Sequence, residues 1–186
     1  MKAIYTVTFA MLVSSILIGQ ENKKDESKKK HSDKSYIQGQ DKIKQHEKII
    51  WAGTGVDLNE KSKDVKNVPD AVMNSFRQFF PNQPIDDVRR YHGLYAITFS
   101  NEVYTTTLVY KADGTFVEAR TVATESAIPA IVKEEAKRSK GEFDKDEIVV
   151  VEKANKRKYY RLHFKNNSTH PYSMFDESGK EVEYDY

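Results

Sequence analysis

The chain has 186 residues, with 30 Lys and Arg against 28 Asp and Glu, for a formal charge of +2. That balance excludes the strongly basic face of a nucleic-acid binder, and the lack of cysteine excludes disulfides and a lipid anchor on Cys. The length suits one domain or two small fused ones, and 11 Tyr with 9 Phe suit a β-rich core.

Residues 1–20 read as a Sec signal peptide. Lys2 precedes an apolar run from Ile4 to Ile18, and Gly19-Gln20-Glu21 then turns polar. The run is shorter than the ~20 residues a spanning helix prefers. Cleavage near Gly19 is expected, with an uncleaved anchor as the alternative. After cleavage no stable membrane span is expected, and the protein is periplasmic or secreted.

Residues 21–48 are rich in Lys, Asp, Glu, Ser and Gln around Lys28-Lys29-Lys30. So few apolar side chains cannot offset the entropy of ordering, which predicts a disordered charged linker. Residues 49–67 open with Ile49-Ile50-Trp51 and read as a short apolar segment docking on the domain. An exposed anchor for a partner is the other reading of the single Trp. Gly53-Thr54-Gly55 lacks the third Gly and the Lys-Ser/Thr of a phosphate loop.

Val68, Val72, Phe76 and Phe79/Phe80 repeat at helical spacing, with Asp70, Asn74, Arg77 and Gln78 on the other side. Pro69 suits the first turn of a helix and Pro81 marks its end. Four strands follow, at residues 85–91, 94–100, 102–111 and 115–123, separated by turns at His92-Gly93, Ser100-Asn101 and Asp113-Gly114. A second helix runs from about Pro129 to Lys140, with Ile128, Val132 and Ala136 on one face and a Glu134–Arg138 pair on the other. Strands are then expected at residues 147–155, 158–165, 169–176 and 180–186.

The two halves repeat one another. Val68-Pro69 aligns with Ile128-Pro129, Tyr95 and Phe99 with Tyr160 and Phe164, and Gly114 with Gly179, at an offset growing from 60 to 65 residues. The expected fold is α+β: two tandem α-plus-four-stranded antiparallel units, residues 66–125 and 126–186, joined into one continuous sheet with the helices on one face and the other face open to solvent.

Val68-Pro69-x-x-Val72, Phe80-Pro81, Tyr95-x-Ile97-x-Phe99 and Ala112-Asp113-Gly114, echoed by Ile128-Pro129-x-x-Val132, Tyr160-x-Leu162-x-Phe164 and Ser178-Gly179, resemble the β-lactamase-inhibitor-like, PepSY-like family of exported bacterial proteins. The resemblance covers residues 66–186 and implies an exported binding or inhibitor-like domain without established catalytic residues. The second copy departs from it: Lys140-Gly141 replaces the aromatic-Pro and Ala136 replaces the Phe. Looser packing of that helix is the expectation.

No catalytic, cofactor or metal site is expected. The five histidines lack zinc-ligand spacing, although His163 and His170 could meet across a hairpin. Asp86 and Asp87 are adjacent on a strand and point to opposite faces. The candidate site is the open sheet face, with Thr98, Thr105, Thr107, Arg120, Tyr159, Arg161 and His163, engaging a protein or peptide there or at an edge strand. Inhibition of an exported hydrolase, a β-lactamase or a protease, is the alternative, through the turns at His92-Gly93 or Asn166-Asn167. The sequence does not fix the oligomeric state.

Overall fold

A computed structural model describes residues 32–52, 54, 68–101, 104–167 and 171–183, with the backbone alone for residues 32–40. The signal-peptide reading, His170 and most of residues 53–67 lie outside the described residues. Among those described, no helix is long and apolar enough to cross a membrane.

Eight strands form one antiparallel sheet in strict chain order. The first unit is helix α2 (Asp70–Phe79) with β1 (Asp87–Tyr91), β2 (Leu94–Ser100), β3 (Thr105–Tyr110) and β4 (Phe116–Ala123). The second is α3 (Ala130–Lys140) with β5 (Ile148–Lys153), β6 (Lys158–His163), β7 (Tyr172–Asp176) and β8 (Glu181–Val182). A single 3₁₀ turn at Glu125–Ala127 leads into α3. β4 pairs with β5 from Glu118↔Lys153 to Ala123↔Ile148, so the ladder continues across the boundary between the units.

Each helix lies on the same face of the sheet and starts at a proline, Pro69 or Pro129, that stands just before the first turn rather than in it. Val72 and Phe76 of α2 are fully buried against Val88, Ile97, Phe99, Leu108 and Tyr110. Phe80 stacks on Phe76 at 5.4 Å and meets Phe99 at 4.8 Å. In the second unit Val132 and Ala136 are equally buried among Ile148, Tyr160, Leu162, Phe164 and Phe175.

Two expectations for α3 are corrected. Its core is not loose: past Gly141, at φ 92, Phe143 joins the same buried cluster as Ala136, with its ring 6.4 Å from Phe164. The ring absent from the helix is thus supplied by the loop after it. On the wet side Arg138 pairs with Glu135, one turn back, instead of Glu134.

The two halves also share a tight spot. Gly114 and Gly179 hold φ of +82 and +85 in their hairpin turns and touch the first turns of α2 and α3. A Cβ on Gly114 would lie 2.5 Å from the Ala71 carbonyl oxygen, and one on Gly179 would lie 3.1 Å from that of Ile131.

The charged-linker reading is corrected over its second half, because Ser32–Trp51 forms helix α1. Ile43, His46, Glu47, Ile50 and Trp51 recur at helical spacing. Tertiary packing orders a helix whose own composition does not favour folding.

Candidate functional site

Side chains alternate across a strand, so one cross-strand row falls on the face away from α2 and α3. Asp87 pairs with Thr98, Thr98 with Thr107, Thr107 with Arg120, Arg120 with Val151 and Val151 with Tyr159. Neighbouring rows add Thr105, Arg161 opposite Met174, and His163 opposite Tyr172. The seven residues singled out from the sequence therefore share one side of the sheet.

That side is not open, which corrects the expectation. α1 lies over it, and Thr98, Thr105, Thr107, Arg120 and Arg161 are buried, with Thr107 at 0% exposure and Arg161 at 5%. Tyr159 and His163 are half-buried toward the second unit. β3 is consequently buried along its whole length on both faces.

The last turns of α1 are seated. Asp41, Lys42, Lys44, Gln45 and Lys48 are exposed, while Glu47, Ile49, Ile50 and Trp51 are buried. Ile50 and Trp51 pack on Ala96 and Val109 of the first unit, and Ile49 packs on Val149, Val151 and Met174 of the second. The helix end thus bridges both halves of the sheet.

Polar side chains from the sheet hold that end. Arg161 Nη1 donates to the carbonyls of Ile50 at 2.9 Å and Ala52 at 2.7 Å, and Nη2 donates to that of Ile49. Ile49 and Ile50 belong to the last turn, whose carbonyls lack an i+4 partner within the helix, and a cation there is also favoured by the dipole. Thr54 closes the turn, its hydroxyl donating to the Trp51 carbonyl at 2.6 Å. The Gly53-Thr54-Gly55 stretch therefore contributes a helix stop through its central residue.

Trp51 lies under Arg120, whose guanidinium is 4.8 Å from the ring centroid, and meets Tyr91 edge-on at 4.7 Å. Glu118 fixes that guanidinium at 2.6 Å and also binds Lys153 at 2.6 Å. Arg120, Glu118 and Lys153 are therefore paired within the sheet, and Arg161 is left to hold the helix end.

At the β1 side, His46 Nδ1 is 2.8 Å from the Thr105 hydroxyl, and burial, with Lys42 nearby, lowers the histidine pKa. Glu47 faces Arg89 at 3.8 Å, and Arg89 is itself bound by Asp87 at 2.6 Å. Burial first, then the Asp87 charge, pushes the Glu47 carboxyl up to about 7. Asp86, also raised by burial, adds to the negative surroundings.

The remaining turns are peripheral. His92-Gly93 is an exposed hairpin tip with φ of 45 and 78, and Asn166 is exposed.

No protein-family model and no curated protein matches the chain. Solved structures do. A "putative periplasmic" protein from Bacteroides eggerthii aligns at TM-score 0.54 and 15% identity, covering 62% of this chain and 86% of its own. A DUF2874 family protein from Bacteroides uniformis aligns at TM-score 0.54 and 13% identity over the same shares, 62% and 86%. A BLIP-like protein from Bacteroides fragilis aligns at TM-score 0.48 and 14% identity, covering 62% of this chain and 84% of its own. At such identities the likeness is one of fold.

Proposed function

We propose that this chain is an exported, non-enzymatic binding module that receives a helical segment of a protein or peptide partner on the sheet face beneath α1. The observation that carries the reading is the way the face grips a helix end. Arg161 spreads over three terminal carbonyls, and Arg120 and Tyr91 make a seat for one indole. Threonines and paired charges line the rest of the floor. In this reading α1 is the chain's own occupant of a helix-binding surface, the helix-in-groove mode of recognition.

The edge strands offer less. β8 has two residues, and β1 carries Asp87, Arg89 and Arg90, charges of the kind that discourage strand addition.

The test keeps the full chain. Ile50→Glu with Trp51→Glu detaches α1 from its seat, and a labelled peptide of residues 32–54 is then titrated. We expect the double variant to bind the peptide and the parent chain to bind it far less, because a tethered helix competes at high effective concentration. Adding Arg161→Glu should abolish binding. No binding by a double variant whose circular dichroism still shows the folded sheet would refute the proposal.

A further inference from the structure

A second constellation lies at the far end of the second unit, on the same side of the sheet as α1 and beyond the Arg161 row. It joins the loop after α3 to the ends of β5 and β6. The backbone N–H of Asp144 donates to the His163 carbonyl at 2.7 Å, which fixes the loop beside the strand. Asp144, Glu147 and His163 then converge, with one ligand-type atom from each inside a 4.8 Å span.

Two of the separations are close to what a small cation imposes. His163 Nδ1 is 3.1 Å from Glu147 Oε2 and 3.9 Å from Asp144 Oδ2. Tetrahedral zinc with bonds near 2.0–2.1 Å sets its ligands about 3.3 Å apart.

A second observation concerns the nitrogen itself. His163 Nδ1 is shut off from solvent and faces only carboxylate oxygens, those of Glu147 and Asp144. A buried imidazole nitrogen set between carboxylates is a donor set that a divalent cation takes.

The surrounding groups hold the three in place. The His163 ring stacks on Tyr172 at 4.8 Å, and the Tyr172 hydroxyl donates to Glu147 Oε2 at 3.2 Å. Asp144 Oδ1 accepts the Asp146 N–H at 3.1 Å, which leaves Oδ2 for the site. Such outer contacts are what orient metal ligands.

One cation already stands there. Lys165 Nζ is 2.6 Å from Asp144 Oδ2, and this contact, above all, holds the Asp144 carboxyl below its usual range. The lysine side chain is 68% exposed, so it can swing into water at little cost.

We propose that Asp144, Glu147 and His163 form a site for a divalent transition cation of the zinc class, with Lys165 as its built-in competitor. One nitrogen and two carboxylate oxygens suit zinc-class ions better than calcium or magnesium, which prefer oxygen alone. Three protein ligands leave one position open.

The test titrates zinc chloride into the full chain by calorimetry, with cobalt(II) absorption as a second readout of ligand geometry. Expected are saturable one-to-one binding, a loss of at least about tenfold in affinity for His163→Gln, and a gain of about tenfold for Lys165→Met. His92→Gln, at an exposed turn, should change nothing. Absence of saturable binding overturns the site, as does binding that His163→Gln leaves intact. Should His163→Gln fail to fold, Lys165→Met decides: the substitution lies on the surface, and unchanged affinity there overturns the proposal.

Discussion

Arg161→Met tests the hold on α1 most directly. Methionine keeps much of the length and removes the donors to Ile49, Ile50 and Ala52. A hydrogen bond from a charged group is worth about 1.5–3 kcal/mol, but three from one guanidinium share a single desolvation cost and do not add. The substitution leaves neutral carbonyls rather than an unpaired charge, so our figure for the docking of α1 is about 2–3 kcal/mol. It is a large part of the ~5–15 kcal/mol that holds a typical domain together. The loss should fall on the helix rather than the sheet, because the strand pairs of β6 remain intact. Trp51 is the only tryptophan and is 2% exposed, so its emission reports α1 alone. In urea, the Trp51 red shift should move to much lower denaturant in the variant, while the far-ultraviolet circular dichroism transition moves little. Coincident transitions in both proteins, displaced together, would refute separate docking. No displacement of either would refute the role of Arg161.

Two further outcomes follow from the same packing. Alanine at three glycines with positive φ should destabilise in the order Gly114, Gly179, Gly93: a Cβ meets helix backbone at 2.5 Å in the first, mainly the flexible Glu135 side chain at 2.9 Å in the second, and nothing within 4 Å in the third. Gly93→Ala should cost about 1–2 kcal/mol from backbone strain alone and Gly114→Ala clearly more, and equal thermal shifts would contradict the close approach. Glu47 makes α1 docking depend on pH. Its docked pKa of about 7 lies above the undocked 4.5, so its favourable share is complete below pH 4.5, declines as pH rises through 7, and is flat beyond. His46, lowered by burial, acts in the opposite sense over this range, so the test is the effect of Glu47→Gln: measured by Trp51 emission in moderate urea, the variant should gain docking over the parent at pH 8 relative to pH 5.5, and an equal difference at both pH values would assign the dependence to other groups.

Much of this was legible because strands and amphipathic helices declare themselves by period. Val72 and Phe76, the Asp113-Gly114 turn and their echoes at Val132 and Gly179 carry the doubled unit, and alternation alone places Thr98, Thr107 and Arg120 on one side. What alternation cannot tell is whether that side is wet. The answer rests on α1, whose buried stripe mixes His46 and Glu47 with Ile50 and Trp51 in lysine-rich surroundings and so looks like solvated chain. The Asp144, Glu147 and His163 cluster was hidden for another reason: a loop folds back to a strand end, and spacing along the chain does not record that return. Phe143 is hidden likewise, since it replaces a helix residue from outside the helix.

The ladder that runs unbroken from β4 into β5 has a mechanical consequence. A sheet sewn through its middle by six residue pairs behaves as a plate, and the two copies cannot rock against each other like jaws. In the helix exchange proposed above, the adjustment then falls to what rests on the plate, with α1 as the moving part and the duplicated scaffold as its anvil.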